Sequence, residues 1–456
     1  MAVQPRPAPA APRRARPTLQ ELTRAGLWLG VYVGVAFWPL LFLLAAPAPY
    51  GGLSAELGSM LGYLAISTMA MQFILTARFQ WMTPPFGADL VYAFHRYVTI
   101  VSVAFAIAHP LLVFGGDFAS VAASAVPWAP PWAVGAGAAS LWALVAIAVT
   151  SFWRKRLRLP YETWRRLHGA LAVAAVLLGL WHAATSGRLM ERPVVRWGWL
   201  VWTVLWVGLI VRVRVVKPLS LVRRPWVIRE VVPQRGDLLR ILVEPDGHEG
   251  FRFRSGQFAW LTVGSSPFVG AEHPFSIASS SQAAPRLEFV VKALGDFTRW
   301  LQDVKPGTRA WVDGPYGTMS IDTFPDADGY LFVAGGSGIA PCLSMLRTLA
   351  DRRDGRRHVL VYGTYSWAYT PLTEEIAELA SRLELEVVHV LQAPDPGWRG
   401  EVGLITQELL GRHLPAVTKT VAFVCGPPAM MDAVERSLVR LGIHYGDLHS
   451  ERFDLV

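Results

Sequence analysis

The sequence predicts a membrane-embedded bundle of six α-helices, followed by an antiparallel β domain and an α/β domain. The chain has 456 residues, enough for two or three domains, and 52% of them are hydrophobic. The apolar residues concentrate before residue 217, in runs long enough to cross a bilayer. Beyond that point, short alternating segments separated by Gly, Pro and Asp predict an antiparallel sheet. Alternating strand and helix patterns then predict a parallel sheet covered by helices.

Each predicted span can cross about 30 Å of hydrocarbon. The spans are residues 25–46, 53–75, 90–114, 132–153, 167–184 and 197–216. Residues 1–24 are rich in Pro, Ala and Arg, and we predict a disordered basic tail there. Ala45, Ala46 and Ala48 mimic a signal-peptidase site at the end of the first span. The apolar run before them is longer than that of a typical signal peptide, so we interpret it as a span.

The distribution of Lys and Arg between the spans predicts the orientation in the membrane. One side receives most of them, in the tail, after the second span, in the loop 154–166 and after the sixth span. The other side receives Arg188, Arg192 and Arg196, which we call the outer arginines. The positive-inside rule then places both termini in the cytoplasm. Topology, rather than nucleic-acid binding, therefore explains the net charge of +9.

Four histidines are the chemically informative residues of the predicted spans. His95 and His109 lie in the third span, His168 and His182 lie in the fifth, and both pairs are 14 residues apart. In a helix this spacing is about 21 Å and close to four turns, so each pair lies on one face at two depths. A lone helical histidine is more often a hydrogen-bonded packing residue than a ligand. Ionisable residues inside membrane spans, however, are usually functional.

Two such helices side by side would present two facing histidine pairs. This arrangement suits two stacked haems, each iron taking one imidazole from each helix. The sequence has no Cys-x-x-Cys-His segment, which predicts non-covalent, b-type haem. The predicted orientation pairs His95 with His168 on the cytoplasmic side and His109 with His182 on the outer side. The outer arginines could attract an anionic acceptor, pair with haem propionates or anchor the chain at the membrane surface.

The second half of the chain carries motifs of another kind. A glycine-rich turn at residues 335–341 follows an apolar strand and opens a helix, where unpaired N–H groups favour a diphosphate. The segment His-Pro-Phe-Ser, residues 273–276, has a ring and a hydroxyl that could stack on and hydrogen-bond a planar ring. Taken alone, this segment is better explained as a strand end with a turn-forming proline. The two cysteines, Cys342 and Cys425, predict no disulfide framework and a reducing compartment.

Taken in order, these motifs resemble those of the ferredoxin–NADP reductase superfamily. The further motifs that support the resemblance are Lys292, Gly295, Thr298, Gly-Pro-Tyr-Gly at 314–317, Cys-Gly-Pro-Pro at 425–428 and Glu-Arg-Phe at 451–453. Together with the four-histidine membrane part, residues 25–456 resemble the ferric reductase / NADPH oxidase superfamily in its compact bacterial form.

The resemblance implies which residues bind the cofactors. Those expected around the flavin and its diphosphate are His273, Pro274, Phe275, Ser276, Lys292 and Thr298. Those expected to bind the nicotinamide nucleotide are Gly335, Gly336, Gly338, Pro341 and Gly426. Two residues are expected at the reacting rings, Cys425 beside the nicotinamide and Phe453 over the flavin until nicotinamide displaces it.

The resemblance also implies the domains and the activity. Residues 25–217 would form the haem-binding membrane domain, 218–322 an FAD-binding antiparallel β-barrel and 323–456 an NAD(P)-binding α/β domain. In the cell (inner) membrane, electrons from cytosolic NAD(P)H would pass through FAD and two b-type haems to an acceptor at the outer face. That acceptor could be a ferric chelate or dioxygen.

Three questions stay open at the level of the sequence. The chain could instead supply electrons to a separate extracytoplasmic redox protein, or it could be a haem-binding membrane sensor without turnover. The intact cofactor motifs count against the sensor. Residues 363–370, after the second strand of the nucleotide domain, contain no Arg or Lys, which leaves the preference between NADH and NADPH open.

Overall fold

The computed structural model describes residues 19–41, 52–78, 88–128, 131–186, 190, 193–268, 272–415 and 417–452. The N-terminal part is helical. Its helices are α1 (Leu19–Phe37), α2 (Gly52–Thr76), α3 (Ala88–Val113), α4 (Phe118–Ser124), α5 (Trp132–Phe152), α6 (Tyr161–Ser186), α7 (Pro193–Val211) and α8 (Lys217–Val222). A π-helical turn, Arg212–Val216, joins α7 to α8.

Five of the described helices are long and apolar enough to cross a membrane, which confirms the predicted membrane bundle. They correspond to the second to sixth predicted spans. The first predicted span, residues 25–46, is described only as far as residue 41, and its apolar helix, Gly26–Phe37, is shorter. Helix α1 begins at Leu19, so residues 19–24 of the predicted disordered tail are helical. Leu, Gln, Glu and Arg favour helices, which a search for apolar runs does not take into account.

Helix α2 lies at the centre of the bundle. It contacts α1, α3, α6 and α7, and every residue from Tyr63 to Phe73 is buried. Gly58 allows α3 to approach closely, because a Cβ atom at this position would lie 2.7 Å from the backbone nitrogen of Val113. Small residues at such crossings are the usual means of packing helices in a membrane. The bundle is therefore held around one central helix, against which the histidine-bearing helices pack.

The middle part of the chain is an antiparallel sheet. Its elements are β1 (Trp226–Gln234), β2 (Leu238–Pro245), β3 (Phe258–Val263), β4 (His273–Ser276), β5 (Leu287–Lys292), the short helix α9 (Asp296–Trp300) and β6 (Arg309–Tyr316). The strand order is β4-β3-β6-β1-β2-β5. An antiparallel bridge between Ile277 and Phe289 joins the two edges of this sheet and closes it into a barrel.

The last part is a parallel α/β domain, as predicted. Its elements are β7 (Gly329–Gly335), α10 (Ile339–Asp351), β8 (Arg357–Thr364), α11 (Thr373–Arg382), β9 (Leu385–Leu391), β10 (Glu401–Val402), α12 (Gln407–His413), β11 (Thr420–Cys425), α13 (Pro428–Arg440) and β12 (Leu448–Ser450). The strand order is β10-β9-β8-β7-β11-β12. The chain extends the sheet from β7 to one side and from β11 to the other. Ligands bind such sheets at the carboxyl ends of the strands at this switch point, here β7 and β11.

Candidate functional site

The first candidate site is the pair formed by His109 on α3 and His182 on α6. Their ring centroids are 6.0 Å apart. The Nδ1 atom of His109 lies 2.8 Å from the carbonyl oxygen of Gly58, and that of His182 lies 2.7 Å from the carbonyl oxygen of Ala133. Because a carbonyl only accepts, each Nδ1 carries the proton and each Nε2 keeps its lone pair. This is the tautomer that a metal-binding histidine adopts.

The second pair, His95 on α3 and His168 on α6, has ring centroids 6.3 Å apart. The Nε2 amide of Gln72 donates to the carbonyl of Thr68 at 2.9 Å, so its Oε1 faces His95 Nδ1, which lies 2.8 Å away. His168 Nδ1 lies 3.4 Å from the hydroxyl oxygen of Ser151. We call His95 and His168 the inner pair and His109 and His182 the outer pair, after the sides of the membrane predicted from the sequence. The inner pair is thus oriented by side chains, whereas the outer pair is oriented by backbone carbonyls.

Two glycines make room for the outer pair. A Cβ atom at Gly62 would lie 2.7 Å from His109 Nδ1, and one at Gly137 would lie 2.8 Å from His182 Nδ1. Two imidazoles that bind one metal ion from opposite sides have ring centroids about 6 Å apart, because each metal–nitrogen bond is about 2 Å. Both pairs meet this requirement. Each could hold one haem iron, and the structure brings the four histidines together as two separate facing pairs.

A cation lies beside the inner pair. Gly169 follows His168, and a Cβ atom at Gly169 would lie 2.8 Å from Nη2 of Arg214. The missing side chain therefore admits a guanidinium next to His168. From the sequence, Arg214 counted only toward the membrane topology, because nothing in a linear sequence shows that the π-helical turn after α7 packs against this turn of α6.

Strand β4 places the predicted flavin-binding residues in an aromatic cluster. His273 and Phe275 project from the same side of β4, since side chains alternate along a strand. The ring of Phe297 in α9 stacks on His273 with centroids 3.9 Å apart, and it is nearly parallel to the ring of Phe275 at 6.5 Å. Ser276 is buried at the end of the strand. Phe297 was not predicted from the sequence, although this aromatic residue stands directly before the predicted Thr298.

Burial, together with the positive charge of Arg165, lowers the pKa of His273 to about 4. The imidazole is therefore neutral at pH 7. Its Nε2 atom lies 3.3 Å from a carboxylate oxygen of Glu162 on α6. With a neutral ring this contact is no ion pair, and His273 presents an uncharged aromatic face.

The structure places Lys292 and Thr298 at the two sides of one short loop. Lys292 is the last residue of β5, and Thr298 lies in the first turn of α9. The Thr298 hydroxyl oxygen accepts a hydrogen bond from the backbone N–H of Gly295 at 2.9 Å and so caps this helix. The contact orders the start of α9, which places Phe297 against β4.

The predicted nucleotide-binding turn lies at the switch point of the parallel sheet. Gly335 ends β7, and a Cβ atom there would lie 2.6 Å from the sulfur of Met430. Gly338 faces the carbonyl oxygen of Cys425 so closely that any Cβ atom would overlap it. Gly336 has a φ of +54°, a conformation that favours glycine. Pro341 lies in the first turn of α10, where its missing N–H costs nothing.

Cys425 and Gly426 complete the wall of this turn. Cys425 is 3% exposed, and its thiol donates to the backbone carbonyl of Glu451 at a sulfur–oxygen distance of 3.9 Å. Burial raises the pKa of the Cys425 thiol well above its usual value. The sulfur is therefore uncharged and serves as a packing surface rather than as a thiolate nucleophile. Phe453, predicted to cover the flavin, lies outside the described residues.

Glu451 is a further site residue, to which the sequence motif alone assigned no role. Its Oε1 atom accepts a hydrogen bond from the backbone N–H of Thr318 at 2.8 Å. Gly317 leaves room for the carboxylate, because a Cβ atom there would lie 2.6 Å from Oε1. This hydrogen bond holds the C-terminal segment before Phe453 against the loop that follows β6.

Three protein families match this chain, one for each part of the fold. "Ferric reductase like transmembrane component" matches residues 61–179, "FAD-binding domain" matches 226–320 and "Oxidoreductase NAD-binding domain" matches 332–436. The match to the first family runs from within α2 to within α6 and includes His95, His109 and His168, whereas His182 lies three residues beyond its end.

Individual relatives match somewhat less than half of the chain. The reductase component of propane 2-monooxygenase from Mycolicibacterium goodii is 29% identical over 216 residues, which are 44% of this chain and 60% of that protein. The reductase subunit Stc4 of stachydrine N-demethylase from Rhizobium meliloti is 32% identical over 213 residues, 44% of this chain and 59% of that protein. The chain thus spans about 60% of the length of these curated relatives. Among solved structures, the cytochrome P450 reductase GcoB of Amycolatopsis has a TM-score of 0.45 and 27% identity, covering 50% of this chain and 69% of that one.

Proposed function

We propose a route for electrons through this chain. The chain is an oxidoreductase, a ferric reductase-like fusion of a multi-pass transmembrane domain with an FAD-binding domain and an NAD-binding domain. Electrons from cytosolic NAD(P)H would pass through FAD and two b-type haems to an acceptor at the outer face of the membrane. FAD, when bound, accepts hydride as an electron pair and releases single electrons, which are what haem iron carries. We assign the membrane domain to residues 25–217, the FAD domain to 218–322 and the NAD(P) domain to 323–456.

The facing histidine pairs carry this proposal. His95 with His168 would hold the inner haem, and His109 with His182 would hold the outer one. In support, the two pairs lie about 21 Å apart along two helices whose histidine rings face each other, and each pair has its rings at the separation that one iron requires. Three of the four Nδ1 atoms have a firm hydrogen-bond acceptor at 2.7–2.8 Å, which fixes the rings before any metal is bound.

Residues of the second half would bind the other cofactors. For FAD they are His273, Pro274, Phe275 and Ser276, with Lys292 and Thr298 toward the diphosphate. For the nicotinamide nucleotide they are Gly335, Gly336, Gly338, Pro341 and Gly426. We assign Cys425 and Phe453 to the reacting rings. Two observations support these assignments. Strand β4 presents an uncharged aromatic face, and the glycine turn lies against Cys425 at the switch point of the parallel sheet.

We also propose that the protein lies in the cell's inner membrane with both termini in the cytoplasm. The distribution of Lys and Arg supports this orientation. His95 and His168 each lie seven residues after the start of their helix, at the end of the bundle that contacts the β-barrel. The inner pair is therefore the one nearer to the predicted flavin site. Outward electron movement is favoured by about 2.3 kcal/mol per charge per 100 mV of inside-negative potential.

A screen of electron acceptors tests the proposed function and identifies the terminal acceptor. Purified protein is given NADH or NADPH under air, then without oxygen and with a ferric chelate. Superoxide formed without added iron would identify an oxidase, and turnover that requires ferric chelate would identify a reductase. Turnover with neither, together with haems that NAD(P)H still reduces, would indicate a separate redox protein as acceptor. Haems that neither nucleotide reduces would contradict the proposed function.

A further inference from the structure

Five charged side chains join the membrane bundle to the β-barrel. Arg78 follows α2, Arg165 lies in α6 and Lys217 begins α8, whereas Glu272 and Asp313 belong to the barrel. We call these five residues the docking cluster. Arg78 forms ion pairs with Glu272 and, at 3.4 Å, with Asp313. Arg165 lies 3.7 Å from Glu272, and Lys217 Nζ lies 2.8 Å from Asp313.

The docking cluster is partly buried and therefore differs from ordinary ion pairs on an exposed surface. All five side chains are between 12% and 28% exposed. Burial by itself would raise the pKa of Glu272, but the charges of Arg78 and Arg165 outweigh it, so the pKa lies below its usual value. Glu272 is therefore ionised at neutral pH. Ion pairs that are partly buried in this way are screened less by salt than exposed ones.

Arg78 is the central member. Its guanidinium lies 4.0 Å from the ring centroid of Trp260, a buried residue of β3, which adds a cation–π contact to the two ion pairs. The backbone of Arg78 has a φ of +55°, which is unfavourable for a residue with a side chain. Such a conformation persists where the surroundings enforce it. The two ion pairs and the cation–π contact to the barrel hold Arg78 there.

Lys217 is placed by an unusual backbone. The π-helical turn Arg212–Val216 stands directly before it, and π-helical turns are rare and frequent at functional sites. Lys217 Nζ also lies 3.1 Å from the hydroxyl oxygen of Tyr316, which in turn donates to Asp313 at 2.8 Å. After a regular α-helical turn, the side chain of Lys217 would leave the helix in a different direction.

We infer that the docking cluster positions the predicted flavin strand against the helix of the inner histidine pair and thereby sets the rate of electron transfer into the membrane domain. Glu272 directly precedes His273, and Arg165 stands three residues before His168, so one ion pair connects the two cofactor-bearing segments. The five residues act as positioning residues. A shift of about 1 Å between reacting groups can cost on the order of a hundredfold in rate. This inference rests on the proposed function.

The test compares Arg78→Gln with wild-type full-length protein carrying its cofactors, mixed with NADH or NADPH without oxygen. We expect flavin bleaching at an unchanged rate and haem reduction slowed about tenfold or more. Arg78→Lys, which keeps the charge, should recover part of the rate. Arg223→Gln removes an exposed cation on the same side of the membrane and should match wild type in both steps.

Hydrogen exchange gives a readout that does not require turnover. The amides of residues 272–276 should exchange faster in Arg78→Gln than in wild type or in Arg223→Gln. If Arg78→Gln does not accumulate, Lys217→Gln removes only the contacts to Asp313 and Tyr316 and carries the same expectation. Equal haem reduction and equal exchange in variant and wild type would overturn the inference alone. Wild-type protein in which NAD(P)H reduces no haem would instead overturn the proposed function.

Discussion

Replacing His109 with alanine should halve the haem content of the purified protein, with the inner haem retained. His109 supplies one of the two Nε2 atoms of the outer pair. His182 alone would leave one side of the iron without a ligand. Removing only a partner of a metal-binding histidine costs about 10–100-fold in affinity, so loss of the imidazole itself should abolish outer-haem binding. The measurement is the haem-to-protein ratio. NAD(P)H should still bleach the flavin and reduce the remaining haem, whereas reduction of the outer-face acceptor should stop.

Two control variants separate a ligand from a packing residue. His444 is an exposed histidine of the second half, and His444→Ala should retain both haems. Gly62→Ala leaves all four histidines in place but puts a Cβ atom 2.7 Å from His109 Nδ1, so it should weaken the outer haem only. Retention of both haems in His109→Ala would show that His109 is not a ligand.

Replacing Gly338 with alanine should prevent NAD(P)H from reducing the flavin. The new Cβ atom would overlap the carbonyl oxygen of Cys425 and lie 2.8 Å from the backbone nitrogen of Gly426. Both are backbone atoms at the end of a buried strand, so β7 and β11 would have to separate where the nucleotide is expected. Overpacking commonly costs about 1–3 kcal/mol, and a clash with backbone belongs at the upper end of that range or beyond.

The measurement compares two reductants. In Gly338→Ala, dithionite should still reduce the haems, because the membrane domain is unchanged, whereas NAD(P)H should reduce neither flavin nor haem. Gly355 has open space around it and an ordinary φ, so Gly355→Ala is the matched control and should behave as wild type. Normal flavin reduction by NAD(P)H in Gly338→Ala would contradict the assignment of this turn.

The general fold could be predicted because its physical causes are local. A bilayer requires an apolar run of nearly fixed length, so five spans could be located from the sequence. The 14-residue spacing placed the two histidines of each helix on one face. Packing of the bundle then brought each histidine of α3 opposite one of α6, with ring centroids 6.0 and 6.3 Å apart. The order of strand, glycine turn and helix predicted the parallel sheet and the position of residues 335–341.

The contacts between distant segments could not be predicted in this way. Phe297 stacks on His273 only because α9 folds back over β4. The basic residues of segment 154–166 were counted toward the topology, and their pattern did not show that Arg165, in the first turns of α6, lies beside Glu272. In the sequence, Arg78 and Lys217 were informative only as positive charges near the ends of spans. Which carboxylate an arginine meets depends on how two domains dock, and a linear pattern carries no information about that.

The most direct test of the account is to add NADH or NADPH to purified wild-type protein without oxygen and to record the visible spectrum. The proposed route predicts that a flavin band bleaches first and that the spectrum of a reduced b-type haem follows, with two haems per chain. Haems that only dithionite reduces, or a protein that contains no haem, would contradict it.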